Sequence, residues 1–319
     1  MSNRIDIHRY CLRSRSPLNA RSQKQDYEGV LLRAFGGYAC VHPWPELGDL
    51  PLDAQLQSLR QGQTTALLRS ALSCAKADGR ARKLSVSLFD GLDVPVSHAS
   101  CYLEQSAVES AVAAGFDTVK VKMGRDLAVE RRIMQEISAE FPSLRWRIDL
   151  NHSQPFSQVR RWLATWGRED LARVDFIEDA WCPDVDPCPD GRGVQVPLAI
   201  DRDVENVVGS FPVWILKPAV NDMPLAMKAA VENAHGPKVV VTSYMDHPLG
   251  QSYAAWQAAM MAKSYPGVVS KCGLVTHGLF EPDEFTEMLG RPKPGFSPAD
   301  GTGLGFDQLL ESLPWKRLV

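Results

Sequence analysis

Six charged side chains in this sequence have equivalent places. Each lies at the polar end of a short apolar segment that predicts a buried strand. They are Lys120, Lys122, Asp149, Glu178, Asp201 and Lys217. Carboxylate oxygens are the ligands that Mg²⁺ prefers, so the three acids predict a Mg²⁺ site, which Mn²⁺ could also occupy. Lysines before and after the acids would flank whatever the metal binds. This order of base, metal and base predicts proton abstraction next to the carboxylate of a small-molecule substrate.

The two lysines of the segment TVKVKMG are two residues apart, so both side chains point to the same side of a strand. Neighbouring ammonium groups lower each other's pKa, which suits a lysine that acts as a base near neutral pH. A lone pair of this kind is more often an edge strand with solvated lysines, but the acids on the following strands favour a functional site. Lys217 follows VWIL and would be a second acid/base or a cation over a ligand's π-system, or simply a solvated strand-end lysine.

Each acid alone is more often a helix cap or a loop residue than a metal ligand. Three unpaired carboxylates at one depth would repel each other, and a divalent cation relieves that repulsion. Four further residues are candidates for substrate binding. Arg147 and Asn151 share a strand side with Asp149, Ser243 could donate a hydrogen bond, and Gly273 would let a ligand approach the backbone. Ser243 and Gly273 could instead belong to ordinary turns.

The pattern of strands and helices changes near residue 93, which predicts two units in an α/β chain. Residues 1–92 contain a polar, arginine-rich connection, two strands around a Gly-Gly turn (VLLRAF and YACVHPW) and two helical segments, as in an α+β unit. Residues 93–290 alternate eight strands with helices. This favours a (β/α)7β-type TIM-like barrel over a doubly wound sheet, because no glycine-rich phosphate loop follows the first strand. The tail, residues 291–319, is predicted to return to the N-terminal unit.

Composition limits the location and the partners of the protein. The 319 residues are 45% hydrophobic and 23% charged, with a formal net charge of −3, which gives no reason to expect nucleic acid or a membrane surface as a partner. No apolar segment reaches the ~20 residues that span a bilayer, and the first residues lack the apolar core of a signal peptide. Seven scattered cysteines favour reduced thiols in the cytoplasm. Composition does not distinguish a monomer from a homo-oligomer.

This set of charged residues resembles that of the enolase superfamily, specifically its muconate-lactonizing-enzyme-like branch. That branch carries Lys-x-Lys on the second barrel strand, Asp, Glu and Asp on the third to fifth, and Lys on the sixth, and this sequence matches each position. The acids also follow the family's spacing, at intervals of 29 and 23 residues. The N-terminal unit with the tail is similar to the family's α+β capping domain. Three features depart from the pattern: Arg202 follows Asp201, Asp246 and His247 end the seventh strand, and only 16 residues separate Asp201 from Lys217.

Within that branch, the arginine-rich start RYCLRSRSPLNARSQKQDYEGVLLRA and the compact length are similar to dehydratases that form 2-succinylbenzoate in menaquinone biosynthesis. The resemblance implies Mg²⁺-dependent loss of water from 2-succinyl-6-hydroxy-2,4-cyclohexadiene-1-carboxylate through a metal-stabilised enediolate. Lys122 would be the general base and then the general acid, Lys120 would keep it poised, and Lys217 would lie over the ring as a cation–π partner. Loops near Ser14 to Arg21 would close over the succinyl tail.

Other enzymes of the same branch are alternatives: an N-acylamino-acid racemase, a dipeptide epimerase or a cycloisomerase. The Asp-x-Asp pair that dipeptide epimerases place on the eighth strand is absent from KCGL. A non-catalytic barrel would be expected to have lost at least one of the lysines or acids. A sugar-acid lyase would use a histidine–aspartate pair on later strands, and Lys217 argues against that class.

Overall fold

The computed structural model describes residues 4–16, 18, 24–187, 189, 194–201, 204 and 210–319. An antiparallel sheet of four strands and a parallel sheet of seven strands organise them. No helix in these ranges is long and apolar enough to cross a lipid bilayer. Arg202, one of the departures from the family pattern, lies outside the described residues, and so do positions 17 and 19–21 of the predicted loop over the substrate.

The antiparallel sheet consists of β1 (Asp6–Arg13), β2 (Asp26–Ala34), β3 (Gly37–Val41) and β11 (Lys316–Arg317). These strands lie side by side in the order β11-β1-β2-β3. The sequence predicts a polar connection before β2. That prediction is wrong for the residues of β1, which form a strand. In β1 the exposed residues Arg9 and Arg13 alternate with the more buried Tyr10 and Leu12. Because one face of the strand is polar and exposed to solvent, its two-residue alternation is hard to recognise in the sequence.

The two predicted strands of this unit, β2 and β3, and its two predicted helices are confirmed. The turn between the strands places Phe35 at φ +57 and Gly36 at φ +77, as in a two-residue type I′ hairpin. Helices α1 (Leu52–Arg60) and α2 (Ala66–Lys83) follow. A Cβ on Gly37 would lie 2.3 Å from the backbone of Gly79, so this glycine lets α2 pack directly on β3.

Seven parallel strands, each paired with its neighbour along the chain, form the second sheet. They are β4 (Ala99–Cys101), β5 (Thr118–Lys122), β6 (Arg145–Asp149), β7 (Val174–Glu178), β8 (Leu198–Ile200), β9 (Val213–Leu216) and β10 (Lys238–Val241). The helices between them are α3 (Gln105–Ala113), α4 (Leu127–Glu140), α5 (Phe156–Leu163), α6 (Arg168–Ala172) and α7 (Met223–Glu232), and α8 (Pro248–Ser264) follows β10. The short α6 was not predicted, because it has too few residues to show a helical period.

The predicted eighth strand closes the sheet through isolated bridges rather than as a regular strand. Val269 pairs with Val239 of β10, and Cys272 pairs with Ser97 just before β4, both in parallel. The His98 amide donates a hydrogen bond of 2.8 Å to the Cys272 carbonyl, which reinforces the second junction. The segment thus joins the two edges of the seven-stranded sheet, and the predicted barrel-type fold is confirmed.

The tail returns to the N-terminal unit through α9 (Glu284–Leu289), α10 (Asp307–Ser312) and β11. Ile7 of β1 pairs with Lys316 of β11, and Arg82 of α2 forms an ion pair with Asp307. A capping sheet built from both ends of the chain is therefore confirmed. The boundaries proposed at residues 92 and 290 stay a prediction.

The side chains inside the barrel are apolar on one side and charged on the other. On the side of β7 to β10 it holds a small apolar cluster, made of Phe176, Ala199, Val213, Ile215 and Val240. On the side of β5 and β6 the inward positions are Lys120 and Arg147 instead. The Arg147 guanidinium lies 4.8 Å from the centre of the Phe176 ring, so the two halves meet in a cation–π contact.

Candidate active site

The C-terminal ends of the barrel strands lie side by side, because parallel pairing keeps them in register. Lys122 at the end of β5 pairs with Asp149 at the end of β6, and Asp149 pairs with Glu178 at the end of β7. Asp201 and Lys217 each come one residue after their strands, β8 and β9. One edge of the barrel therefore carries all five residues, the edge where barrel enzymes bind substrates.

Lys120 lies between two of the acids. Its ammonium is 3.0 Å from Asp149 Oδ2 and 2.7 Å from Glu178 Oε2, and it donates a hydrogen bond of 2.9 Å to Glu178 Oε1. Burial alone would lower the pKa of Lys120, but the carboxylates of Asp149, Glu178 and Asp201 outweigh burial and raise it above the ordinary lysine value. Lys120 therefore favours its protonated form, and the net shift of its pKa is opposite to the lowering expected from a neighbouring lysine.

Lys122 has the opposite electrostatic environment. Burial lowers the pKa of its amine, the attraction of Asp149 opposes that effect, and the cations Lys120 and Lys217 lower the pKa further. The net direction is downward, as expected for this residue. Within the described part of the chain no acid forms an ion pair with Lys122. A lysine whose neutral form is favoured and whose nitrogen is unoccupied can accept a proton.

Lys217 is held by an acid and an aromatic ring. Its ammonium donates a hydrogen bond to Asp201 Oδ2 and lies 6.0 Å from the centre of the Tyr244 ring, at the outer range of a cation–π contact. Its amide donates a hydrogen bond of 2.7 Å to Asn221 Oδ1, which fixes the turn after β9. Strands β6 to β8 separate β5 from β9, so Lys217 and Lys122 reach the barrel mouth from different directions.

The acids form a group that suits a divalent cation. Carboxylate oxygens of Asp149, Glu178 and Asp179 lie within 4.8 Å of one another, and all three residues are buried. Burial, the charge of Asp149 and the charge of Asp201 raise the pKa of Glu178 to about 7, although Lys120 opposes them. Asp201 is not a member of this group, and its carboxylate pairs with Lys217. Its second oxygen, Oδ1, is buried and has no hydrogen bond within the described ranges, so it too can accept a cation.

Asp179 was missed in the sequence. In a regular strand it would point away from Glu178, but its φ of +52 turns the chain at the end of β7. Its Oδ2 lies 3.4 Å from Nε2 of His152, whereas its Oδ1 is buried without a hydrogen-bond partner in the described chain. Neighbouring acids and burial both raise the pKa of Asp179 well above the usual aspartate value, burial being the larger cause. No spacing rule would have found this residue.

A cavity of about 270 Å³ opens at this edge of the barrel. Its lining includes seven of the predicted side chains and Gly273: Lys120, Lys122, Asp149, Asn151, Asp201, Lys217, Ser243 and Gly273. Ser243 shares a hydrogen bond of 2.7 Å with Thr276, and the Asn151 amide donates to Asp149 Oδ1 at 3.0 Å. Leu18 of the N-terminal unit also contributes to the lining, so the capping unit reaches the site.

Arg147 does not have the surroundings that were expected of a substrate contact, whereas Gly273 lines the cavity with protein side chains close to it. Arg147 is outside the lining and is buried one layer deeper, where it donates hydrogen bonds to His98 Nδ1 at 2.8 Å and to the Lys271 carbonyl at 2.9 Å. A Cβ on Gly273 would lie 2.7 Å from the His98 ring and 2.9 Å from Thr242. Gly273 therefore leaves room for these side chains at the edge of the cavity that it lines together with His98.

Comparison with known proteins fits this arrangement. The family profile described as the O-succinylbenzoate synthase N-terminal domain matches residues 5–81. The o-succinylbenzoate synthase of Bdellovibrio bacteriovorus is 31% identical over an alignment that covers 99% of this chain and 98% of that protein. The chain belongs to the o-succinylbenzoate synthase family. The prediction of an enzyme of this family is confirmed.

Solved structures of lower sequence identity share the fold. A mandelate racemase/muconate lactonizing protein from Herpetosiphon aurantiacus superposes with a TM-score of 0.76 at 16% identity, covering 94% of this chain and 96% of that one. An N-succinyl Arg/Lys racemase from Bacillus cereus gives 0.75 at 14% identity and covers 99% of both chains. Because such identities are low, these likenesses show the architecture of the family and do not distinguish its reactions.

Proposed function

We propose that this protein is the dehydratase of menaquinone biosynthesis that converts 2-succinyl-6-hydroxy-2,4-cyclohexadiene-1-carboxylate into 2-succinylbenzoate, with Mg²⁺ as its cofactor. The observation that carries the proposal is the contrast between the two lysines of β5. Lys122 lines the cavity with a lowered pKa, and Lys120 beside it is fixed as a cation by two acids. Family membership supplies the substrate class. The six described cysteines are free thiols, which supports a cytoplasmic location.

Asp149, Glu178 and Asp201 are the residues that would hold the metal, with Asp179 beside them. Hard carboxylate oxygens in a buried group suit Mg²⁺ and also Mn²⁺. When bound, the cation would neutralise charge that builds up on the substrate carboxylate as the adjacent C–H bond breaks. Lys120, which stays protonated, would contribute a second positive charge at the same place.

Lys122 would carry out both proton-transfer steps. Its neutral amine takes the proton from the ring carbon that bears the carboxylate, and the electron pair of that C–H bond begins the new double bond. The resulting ammonium then donates the same proton to the hydroxyl on the neighbouring carbon, which leaves as water. Lys122 returns to its neutral form, and the ring becomes aromatic. One residue on one face performs both transfers, which makes the elimination syn.

The remaining residues position the substrate. Lys217 would lie over a bound ring as a cation, and its position between Asp201 and the Tyr244 ring supports that role. Ser243 and Asn151 line the cavity and are candidates for hydrogen bonds to the substrate. Leu18 from the capping unit contributes an apolar side chain to the cavity lining, along which the succinyl chain would pass.

A direct assay tests this proposal. Purified protein with Mg²⁺ is expected to convert the cyclohexadiene substrate to the aromatic product, which is followed by absorbance. The same protein is assayed for racemisation of N-succinyl amino acids, because a racemase would use Lys122 and Lys217 as two bases approaching from different directions. Racemisation without dehydration would replace the proposal by that alternative, and full dehydration after chelation of divalent metals would remove the metal from it.

A further inference from the structure

We propose that His98 binds the substrate as a hydrogen-bond donor, and that Arg147 fixes it in the tautomer that makes this possible. The inference rests on the proposed function, because it assigns a further substrate contact in the same cavity. His98 lies just before β4, next to the junction that closes the barrel, and it is almost completely buried.

The first step concerns the two ring nitrogens. Arg147 Nη1 lies 2.8 Å from His98 Nδ1, and a guanidinium can only donate hydrogen bonds. Nδ1 must therefore accept, so the proton of a neutral imidazole is on Nε2. Arg147 is itself held by the Lys271 carbonyl at 2.9 Å and by Asp175 Oδ2 at 3.3 Å, which leaves it little freedom to release the histidine.

The second step concerns the direction of the Nε2–H group. Nε2 is on the side of Gly273, where an added Cβ would lie only 2.8 Å from it, and His98 and Gly273 both line the cavity. No hydrogen bond joins Nε2 to a residue in the described ranges, and Nε2 is not among the fully buried atoms there that lack a partner, so it is open to the cavity that His98 lines. An N–H group that faces a cavity without a protein partner can donate to a ligand or to water.

The third step concerns charge. Burial lowers the pKa of His98 well below its usual value, and the cations Arg147, Lys120 and Lys271 act in the same direction. The ring therefore stays neutral and keeps one donor and one acceptor over the working pH range. Lys120 shares this part of the cavity, since it pairs with Ser100 two residues after His98. A donor beside a protonated lysine suits a carboxylate oxygen of the substrate.

A pair of substitutions separates the two nitrogens. His98→Asn keeps an oxygen near the position of Nδ1 to accept from Arg147 but has no group that reaches the position of Nε2. His98→Gln places an amide nitrogen near Nε2. His277→Asn is the matched control, because His277 is also buried but uses Nδ1 with Gln251 and Nε2 with the Gly290 carbonyl, both within the protein. Thermal unfolding of each variant checks that it is folded.

The probe is 2-succinylbenzoate, whose dissociation constant is measured by calorimetry with Mg²⁺ present. His98→Asn is expected to weaken binding by roughly 10- to 100-fold, the usual effect of losing a hydrogen bond to a charged group. His98→Gln is expected to restore most of the affinity, and His277→Asn to change it little. Nitrogen-15 NMR of the ligand-free wild type should show His98 protonated on Nε2, and Arg147→Lys should disturb that tautomer.

Two results would overturn the inference alone: wild-type affinity in His98→Asn, or a wild-type His98 protonated on Nδ1. A wild type that fails to bind 2-succinylbenzoate would instead overturn the proposed function and, with it, this assignment. Because the NMR measurement needs no ligand, it separates an incorrect tautomer from an incorrect substrate.

Discussion

Two buried charge networks in this molecule differ in how completely their polar atoms are satisfied. In the first, Asp78 of α2 receives hydrogen bonds from the Tyr38 amide at 2.8 Å, the Leu304 amide at 2.7 Å and Arg82 Nε at 2.6 Å. Arg82 also bonds to Asp307 and to the Gly305 carbonyl. Both oxygens of Asp78 have partners, and the network joins the N-terminal unit to the tail.

The second network is the group of acids and lysines at the barrel mouth. Three of its carboxylate oxygens, on Glu178, Asp179 and Asp201, are buried without hydrogen bonds in the described chain, and only the one on Glu178 has an ion-pair partner, Lys120. Folding gains little from burying charges in this way, because each unpaired group costs desolvation energy. The contrast indicates that the first network serves stability, whereas the second is left incomplete for a cation and a substrate.

The largest effect that separates the networks should come from Lys122. Lys122→Ala is expected to lower kcat at least ~10³-fold, because the same amine performs both proton transfers. The free energy of unfolding should change little, since Lys122 has no ion pair to lose in the described structure. Steady-state dehydration kinetics and urea denaturation measure the two quantities. Activity within tenfold of the wild type would show that another residue is the base.

The satisfied network should behave in the opposite way. Asp78→Ala is expected to reduce the free energy of unfolding by ~3–5 kcal/mol, because it leaves the buried Arg82 without its main partner. Asp307→Ala is the milder comparison, since the Asp307 side chain is 31% exposed. Urea denaturation gives the stability, and kcat of the protein that remains folded should be unchanged. A loss of activity at full stability would contradict the structural role of this network.

These contrasts also show what the sequence could reveal. The (β/α) pattern and the strand ends predicted the barrel and brought Lys122, Asp149 and Glu178 to one edge, because parallel register preserves the order of strand ends. Strand β1 was missed because its outward side is polar. The eighth strand is only partly regular, and bridges of this kind depend on both edges of the sheet, which no local pattern encodes.

Site residues were predictable only where a side chain follows from regular geometry. The alternation of side chains along β6 correctly gave the side of the strand to which Arg147 points. It did not show how deep in the barrel Arg147 lies, so Arg147, which is below the cavity, was predicted to contact the substrate. Asp179 reaches the acids through a positive φ, which alternation cannot anticipate. The pKa of Lys120 rises and that of Lys122 falls, although they are two residues apart, because only Lys120 lies between two carboxylates.

The buried carboxylate of Asp246 allows the cost of an incompletely hydrogen-bonded acid to be measured through the pH dependence of stability. Its Oδ1 has no hydrogen bond in the described ranges, and burial raises its pKa to about 7 from an unfolded value near 3.8. The folded state therefore binds more protons than the unfolded state between these values, so stability falls as pH rises through that range and then levels off.

Asp246→Asn should remove this dependence, and the variant should gain on the wild type by a few kcal/mol between pH 4 and pH 8, at ~1.4 kcal/mol per pKa unit. Urea denaturation at several pH values measures the difference. A constant difference between variant and wild type over the whole range would show that Asp246 ionises normally in the folded protein.

Metal affinity distinguishes the incomplete network from the satisfied one. Asp201→Asn and Asp179→Asn are each expected to weaken Mg²⁺ binding by roughly 10- to 100-fold, since both carry an unpartnered oxygen close to the other acids. Asp307→Asn, in the satisfied network, should leave the affinity unchanged. Calorimetric titration of the metal-free protein measures all three. If Asp179→Asn binds Mg²⁺ normally while Asp201→Asn does not, then Asp179 serves only to hold His152.

The smallest effect is expected from a charge pair in neither network. Arg132 Nε and Glu136 Oε1 lie 3.8 Å apart on α4, with side chains 71% and 68% exposed. Water and salt screen such a pair, so Glu136→Gln should change the free energy of unfolding by no more than ~0.5 kcal/mol. Urea denaturation at low and high salt measures that change. The two charges of this pair are close together but are neither buried nor part of a hydrogen-bonded network. A loss of several kcal/mol would therefore mean that the distance between charges determines their contribution to stability, and that burial and hydrogen bonding do not explain the difference between the two networks.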